Sequence, residues 1–463
     1  MPPALRWMLA ATSFGFVVVQ LDVTIVNVAL PRIGADLHTG VAGLQWIVDA
    51  YTLAFAVLLL SAGILGDRFG SKRAYLAGFG LFFLSSLACG VALSGGMLIA
   101  ARACQGLGAA LLVPSSLALI NHSTGHDRRL RARAIGIWTA SSGLGIASGP
   151  VIGACLLQLF GWRSIFFVNL PLCLIGAWLT LRAVPQRQPG EAGHPLDPVG
   201  QILAIVFLTS LVGAVIEFRP LGATHPVVLG GFLTAIVSGA IFVVAESRAR
   251  APMLPLDFFT LPNFSVATAF GVLVNITYYG VIFVISLYLQ RVRGYSVMAT
   301  GLAFLPLTAT FILSNLTGGY LAGHTGSRRP MMLGSLIGAA GFGLLGRLGP
   351  DSSFLAMLPP FTVIPFGMGL AVPGMTAAIL AAVPASRAGA ASAVLNTARQ
   401  SGGAVGVAVF GALASGGAAH IATGLHRAAL ISMGLLGVAV VLGSFMRVPV
   451  PVIGDLVKDR PAR

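Results

Sequence analysis

Gly63-Ile-Leu-Gly-Asp67-Arg68-Phe-Gly70-Ser-Lys72-Arg73 and, 256 residues further on, Gly319-Tyr-Leu-Ala-Gly323-His324-Thr-Gly326-Ser-Arg328-Arg329 share one frame of glycines, a serine and paired basic residues. Each copy closes one long apolar run and opens the next, so one half of the chain repeats the other. Outward from these turns, 56% of the 463 residues are apolar and 9% charged, against about 25% charged in a soluble domain. That balance excludes a water-soluble enzyme and leaves a polytopic membrane protein. Apolar runs lie near 8–30, 45–65, 74–94, 97–120, 134–158, 165–183, 199–217, 226–245, 264–289, 299–322, 331–348, 354–382, 388–413 and 428–446, fourteen in all. Six spans with short loops would set the two turns roughly 190 residues apart, and the excess of about 65 fits two helices inserted between the halves. The runs at 199–217 and 226–245 are that pair.

An even number of spans puts both termini on one side. With cytoplasmic termini, nineteen of the 28 Lys and Arg fall in inside segments, seven outside and two, Arg102 and Arg399, within spans. The formal charge of +15 is therefore a positive-inside signal and needs no nucleic acid. Cys89, Cys104, Cys155 and Cys173 all sit in apolar runs without metal-ligand spacing, which argues against disulfides or zinc. The first run follows Arg6 without a small-residue cleavage pattern and reads as an uncleaved span.

Further motifs make a resemblance nameable. Leu21-Asp22-Val-Thr-Ile-Val-Asn27-Val-Ala-Leu-Pro31, the 63–73 turn, Arg102-Ala-Cys-Gln105-Gly106-Leu-Gly108 and Gly145-Ile-Ala-Ser-Gly149-Pro150-Val-Ile-Gly153 occur in order. Leu196-Asp197-Pro-Val-Gly200, Pro252-Met-Leu-Pro255-Leu256 and Asn396-Thr-Ala-Arg399-Gln400-Ser-Gly402-Gly403 are shorter echoes. Over nearly its whole length the chain resembles the major facilitator superfamily, specifically its fourteen-helix drug:proton antiporters. The resemblance implies an all-α integral membrane fold of two pseudo-symmetric six-helix bundles plus an inserted pair, with 14 transmembrane helices. It implies residues 1–184 as the N-terminal bundle, 185–263 as linker and inserted pair, 264–446 as the C-terminal bundle and 447–463 as a cytoplasmic tail. The second turn departs from the pattern, with Gly323 and His324 where the first has Asp67 and Arg68. It should latch less strongly.

A carboxylate near the middle of a span costs about 2.5 to 3.5 kcal/mol on insertion scales, and only Asp22 and Asp49 occupy such positions. Counted from the outer ends of their runs, Asp22 lies about 12 to 14 Å deep, Asp49 and Arg102 roughly 6 to 8 Å. These three are the expected proton-coupling residues. Burial favours the neutral acid and a guanidinium the charged one, which can poise Asp22 between them. Asp49 either couples or snorkels to water, and Arg102 either tunes an acid or reaches the outer interface. Arg399, deeper, is either satisfied by interhelical carbonyls or lines a cavity.

Gln45, Trp46, Asn275, Tyr278, Tyr279 and Arg399 are the expected substrate cavity. Gly63, Asp67, Arg68, Gly70 and Arg73 are the expected gate, in which Asp67 pairs across the seam between bundles. Gly145, Gly149 and Gly153 permit close helix approach, and Pro150 removes a helical hydrogen bond, so this stretch is expected to serve the same motion. The expectation is a proton-coupled multidrug efflux antiporter for amphipathic, cationic or neutral molecules. The alternative is a dedicated exporter of one endogenous metabolite or lipid. Its partners would be the lipid bilayer, a small-molecule substrate and protons, with no nucleic acid; the chain is expected to be a monomer. No cofactor is expected, the proton gradient being the energy source, and no G-x-x-x-x-G-K-[ST] loop occurs. The eight histidines lie mostly in or beside loops, which argues against a membrane enzyme. The expected location is the bacterial plasma (inner) membrane.

Overall fold

A computed structural model describes residues 3–124, 128–185, 197–249, 252–349, 352–384 and 387–446. The expected tail 447–463, most of the linker before the inserted pair, and the side chains of Asp67, Arg128, Arg129, Arg131 and Arg133 lie outside the described residues. The chain runs through α1 (Pro3–Asp36), α2 (Val41–Phe69), α3 (Ser71–Gly90), α4 (Gly95–Thr124) and α5 (Arg128–Phe160). Next come the broken helix α6 (Ser164–Phe167) and α7 (Asn169–Ala183), then α8 (Pro198–Leu221) and α9 (Pro226–Arg248). The second half holds α10 (Pro262–Leu287) ending in a π turn, the broken helix α11 (Val297–Ala303) and α12 (Leu305–Thr325), α13 (Arg328–Leu345), α14 (Phe354–Ala382), α15 (Ala388–Leu413) and α16 (Ala418–Ser444). Helix throughout is what lipid demands, because each backbone amide is satisfied within its own segment.

Among the described residues, twelve helices are long and apolar enough to cross a membrane. The chain is thus an all-helical, multi-pass membrane protein. The expected runs at 331–348 and 388–413 fold as α13 and α15 but are not among the twelve. α13 opens on Arg328 and Arg329, and α15 carries Asn396, Arg399 and Gln400, so both are less apolar than their neighbours.

Local chemistry sets the boundaries. Ser296, Ser353 and Asp197 cap α11, α14 and α8 by accepting the amides of Ala299, Ala356 and Gly200. α12 restarts with Pro306 in its first turn, where the missing N–H costs nothing. The two repeated turns have the same backbone: Gly70 has φ +93° and Gly326 φ +79°, a left-handed region that a Cβ strains. The sequence repeat is therefore a repeat of conformation.

Packing pairs recur between the halves. α1 packs on α5 and α7, α2 and α3 on α4, and α3 on α7; α10 packs on α15 and α16, α12 and α13 on α14, and α13 on α16. Across the seam, α2 meets α15 and α5 meets α11 and α12. α8 and α9 form a hairpin whose α8 leans on α2 and α15. Gln201 fastens it there, donating to the Val57 carbonyl at 3.1 Å and accepting from Ser61.

Candidate functional site

Asp22 is fully buried in the first half and accepts three hydrogen bonds. Arg102 Nη1 donates to Oδ2 at 2.5 Å, while Gln105 Nε2 and Asn169 Nδ2 donate to Oδ1 at 2.9 and 2.8 Å. Arg102 also donates to Gln105 Oε1 at 2.7 Å and to the Ile47 carbonyl at 3.2 Å, and stacks over the Tyr51 ring at 4.2 Å. Gln105 donates a further bond to Ser86 at 2.8 Å. One carboxylate thus ties α1, α2, α3, α4 and α7 together, and each ion has a partner, as burial of charge requires.

All three intramembrane charges of this half lie deeper than their apolar runs imply. α1 continues past Pro31 to Asp36, fourteen residues beyond Asp22, or about 21 Å at 1.5 Å per residue. Asp49 is eight residues inside α2 and Arg102 seven inside α4, about 12 and 10 Å by the same rise. Snorkelling does not describe Asp49: it is fully buried, and neither carboxyl oxygen has a hydrogen-bond partner.

The other expected residues separate into groups. Gln45 is buried in the seam, its Nε2 donating to the carbonyls of Val407 and Ala408 on α15 at 3.1 and 2.7 Å. Trp46 turns toward the inserted pair and donates to Glu217 at 3.3 Å. Asn275 bonds within its own helix, to the Gly271 carbonyl at 2.8 Å. Tyr278 stacks on Phe311 with centroids 5.4 Å apart and meets Tyr279 edge-on at 5.7 Å. Arg399 is half-buried on α15, its stem against Gly271 and its charge close enough to Tyr279 to interact. Gln45 and Trp46 are therefore not part of the Tyr278–Tyr279–Arg399 group.

At the 63–73 turn, Gly63 has open space around it, and Arg68 and Arg73 are exposed. Lys72, between them, donates to the Val184 carbonyl at 2.5 Å and so holds the end of α7. The expected pairing of Asp67 falls on a side chain that lies outside the described residues. Gly145, Gly149 and Gly153 face α1 within their own half: a Cβ at Gly145 would sit 2.6 Å from the Val17 carbonyl, and one at Gly153 2.8 Å from Ile25. The seam contact of α5 is made instead by Pro150 and Ala154 against Gly301 of α11.

Three side chains bond across the seam. Each is a side chain's tie to the other half, four bonds in all: Gln45 makes two to α15, Ser286 one to the Asn27 carbonyl at 2.5 Å, and Gln290 one to the Val28 carbonyl at 3.0 Å. Gln105, Asn169, Ser86 and Ser286 complete these contacts, and in the sequence each shows only as a small polar residue within an apolar run. Away from the seam, an apolar pocket of about 600 Å³ lies between the inserted pair, α2 and α15, with Val57, Phe207, Leu208, Met253 and Ser401 in its wall. Among the described residues no cluster of three or more His, Cys, Asp and Glu could hold a metal ion.

Long apolar helices around a buried ion pair make a polytopic membrane protein, and comparison with known proteins gives its class. Residues 12–407 match the Major Facilitator Superfamily, and the chain belongs to that family. It is 39% identical to the multidrug resistance protein Stp of Mycobacterium tuberculosis, over 88% of this chain and 75% of that protein. It is 36% identical to the methylenomycin A resistance protein of Bacillus subtilis, over 88% and 86%. Against the cephamycin export protein CmcT of Amycolatopsis lactamdurans the identity is 36%, over 98% and 93%.

Proposed function

We propose that this protein is a proton-coupled drug efflux antiporter with fourteen spans, α13 and α15 completing the twelve more apolar ones. Two six-helix bundles rock about the seam, and the inserted pair rides on α2 and α15. The recurring packing pairs and the twin glycine turns support the pseudo-symmetry. The boundaries are those expected: 1–184, 185–263, 264–446 and a tail from 447. Both termini face the cytoplasm of a bacterial cell, and the unit is a monomer.

The observation that carries the mechanism is the buried Asp22–Arg102 pair with its two amide donors. A proton binding to Asp22 takes away the charge that holds Arg102, and Arg102 then keeps only Gln105, the Ile47 carbonyl and the Tyr51 face. Because these partners sit on α2 and α4, protonation changes how α1 packs on both. Asp49, with no partner of its own, is the second acid available to the cycle. An elementary charge crossing 100 mV releases about 2.3 kcal/mol, about the worth of one charge-assisted hydrogen bond of this kind. Alternating access follows if the proton and the substrate favour opposite arrangements of the seam. The seam bonds of Gln45, Ser286 and Gln290 are those that must part when the outer side opens.

The substrates are amphipathic, drug-like molecules, in keeping with the names of the multidrug and antibiotic resistance relatives. A second reading, export of one dedicated compound, is favoured by relatives whose names carry a single antibiotic. Substrate-induced proton release from the purified protein, across a chemically diverse panel, tests both. Many active compounds support multidrug export and one strong compound dedicated export. Transport without proton release would reject antiport.

A further inference from the structure

From 264 to 446 the second half contains one acidic residue, Asp351, in the connection between α13 and α14. Its spans therefore hold no carboxylate. Arg399 nevertheless sits near the middle of α15, eleven residues from Ala388 and fourteen from Leu413, about 16 and 21 Å at 1.5 Å per residue. Arginine is among the costliest side chains to place at such a depth, and within membrane proteins it ordinarily pairs with an acid or with backbone carbonyls.

Neither partner is present among the described residues. Arg399 forms no ion pair, and its buried Nε has no hydrogen-bond partner. Its stem lies against Gly271 of α10, whose carbonyl accepts from Asn275. In the first half, Asp22 is held by Arg102, Gln105 and Asn169, and neither carboxyl oxygen of Asp49 has a hydrogen-bond partner. The nearest rings belong to α10 and α12: Gly403, one helical turn from Arg399, lies against the Tyr279 ring, Tyr278 meets Tyr279 edge-on, and Phe311 stacks on Tyr278.

We infer that Arg399 is the anchor for the anionic group of the transported molecule, and that the preferred substrates are aromatic carboxylates or sulfonates. The inference rests on the transport reading above and reverses the cationic or neutral preference expected from the sequence. A planar guanidinium can donate two parallel hydrogen bonds to a carboxylate or sulfonate, and the Tyr278, Tyr279 and Phe311 rings supply faces for an aromatic body. The exchange then has an electrical consequence. An anion leaving while a proton enters moves two charges in the same sense, so an inside-negative potential drives both. Each charge is worth roughly a fifty-fold concentration ratio per 100 mV.

The test compares naphthalene-2-sulfonate with its neutral analogue naphthalene-2-sulfonamide and with the cation 2-naphthylmethylammonium, by calorimetry on the purified full-length protein. The sulfonate should bind at least ten-fold more tightly than either. Arg399→Lys, which keeps the charge and loses the planar fork, should weaken sulfonate binding about three- to ten-fold and sulfonamide binding less. Arg399→Gln should abolish the preference; retained sulfonamide binding reports an intact fold, and if that variant does not fold, wild type and Arg399→Lys decide. A wild type that binds the cation or the sulfonamide as tightly as the sulfonate overturns the inference, as does an Arg399→Lys variant with unaltered sulfonate affinity. In proteoliposomes the two proposals fail differently. Proton-driven transport confined to cations or neutral compounds sinks the anion site, whereas sulfonate binding without proton-driven transport sinks the antiport.

Discussion

Asp22→Asn removes a charge at nearly constant shape, and the geometry around it sets the cost. In the wild type, Oδ2 faces Arg102 Nη1 at 2.5 Å and Oδ1 faces two amide donors. An asparagine has one acceptor. If its oxygen meets the two amides, its NH₂ points at the guanidinium; if it is flipped, its NH₂ meets two other amide donors. Either way Arg102, 1% exposed, loses the only carboxylate paired with it. Breaking a buried pair by removing one partner costs about 3 to 5 kcal/mol, a shift of roughly a hundred- to several-thousand-fold in the unfolding equilibrium. Asp49→Asn changes an acid that bonds to nothing, and should stay within about 1 kcal/mol of wild type. Adding Arg102→Met to Asp22→Asn removes the stranded cation and should recover most of the loss, giving a coupling energy of the same order in a double-mutant cycle. Unfolding in mixed micelles, followed by tryptophan fluorescence, measures wild type, Asp22→Asn, Arg102→Met, the double variant and Asp49→Asn. An Asp22→Asn variant within 1 kcal/mol of wild type, or an Asp49→Asn variant equally damaged, would falsify the view that Asp22 is a satisfied ion and Asp49 an isolated one.

Asp22→Asn should also abolish substrate-induced proton release, while Asp49→Asn alters substrate range; release retained without Asp22 would move coupling to Asp49. Gln45→Leu deletes two seam bonds to α15 and should raise the reactivity of cysteines placed at the outer ends of α2 and α15, an effect that is absent if the seam opens elsewhere. Asp67→Asn should slow transport far more than Gly323→Ala at matched abundance, and equal rates in both would remove the gating role. In a cysteine-free background, Thr224→Cys between α8 and α9 should react with an impermeant probe from the periplasm of intact cells; reaction only after permeabilisation would sink the fourteen-span topology. Arg387 holds the exposed Asp257 carboxyl below its usual range by a hydrogen bond. Because that acid is depressed in the folded state, its tie is complete at neutral pH and is lost as pH falls through the lowered value. A probe at Thr260 should loosen only under acid conditions, and at every pH in Asp257→Asn.

The membrane class and the repeated glycine turn were legible in the amino-acid sequence, because each rests on a local property, and that Arg102 meets a buried acid stood there as one of two readings. Hydropathy over twenty residues makes a span, a glycine frame makes a turn, and an acid and a base that lipid rejects must find each other. Gly70 and Gly326 carried their positive φ visibly, since residues without that tolerance do not recur at such a turn. Which way each helix is rotated was decided by tertiary packing alone. Gln45 and Trp46 are adjacent in sequence, yet one bonds to α15 and the other to the inserted pair, because a helix turns its successive side chains by about 100°. Gly145, Gly149 and Gly153 read as a sliding surface, but their missing side chains admit α1 of the same half. Gln105 and Asn169 reach Asp22 from 83 and 147 residues away. No pattern along the chain contains that distance, because it is produced only when five helices close around one charge.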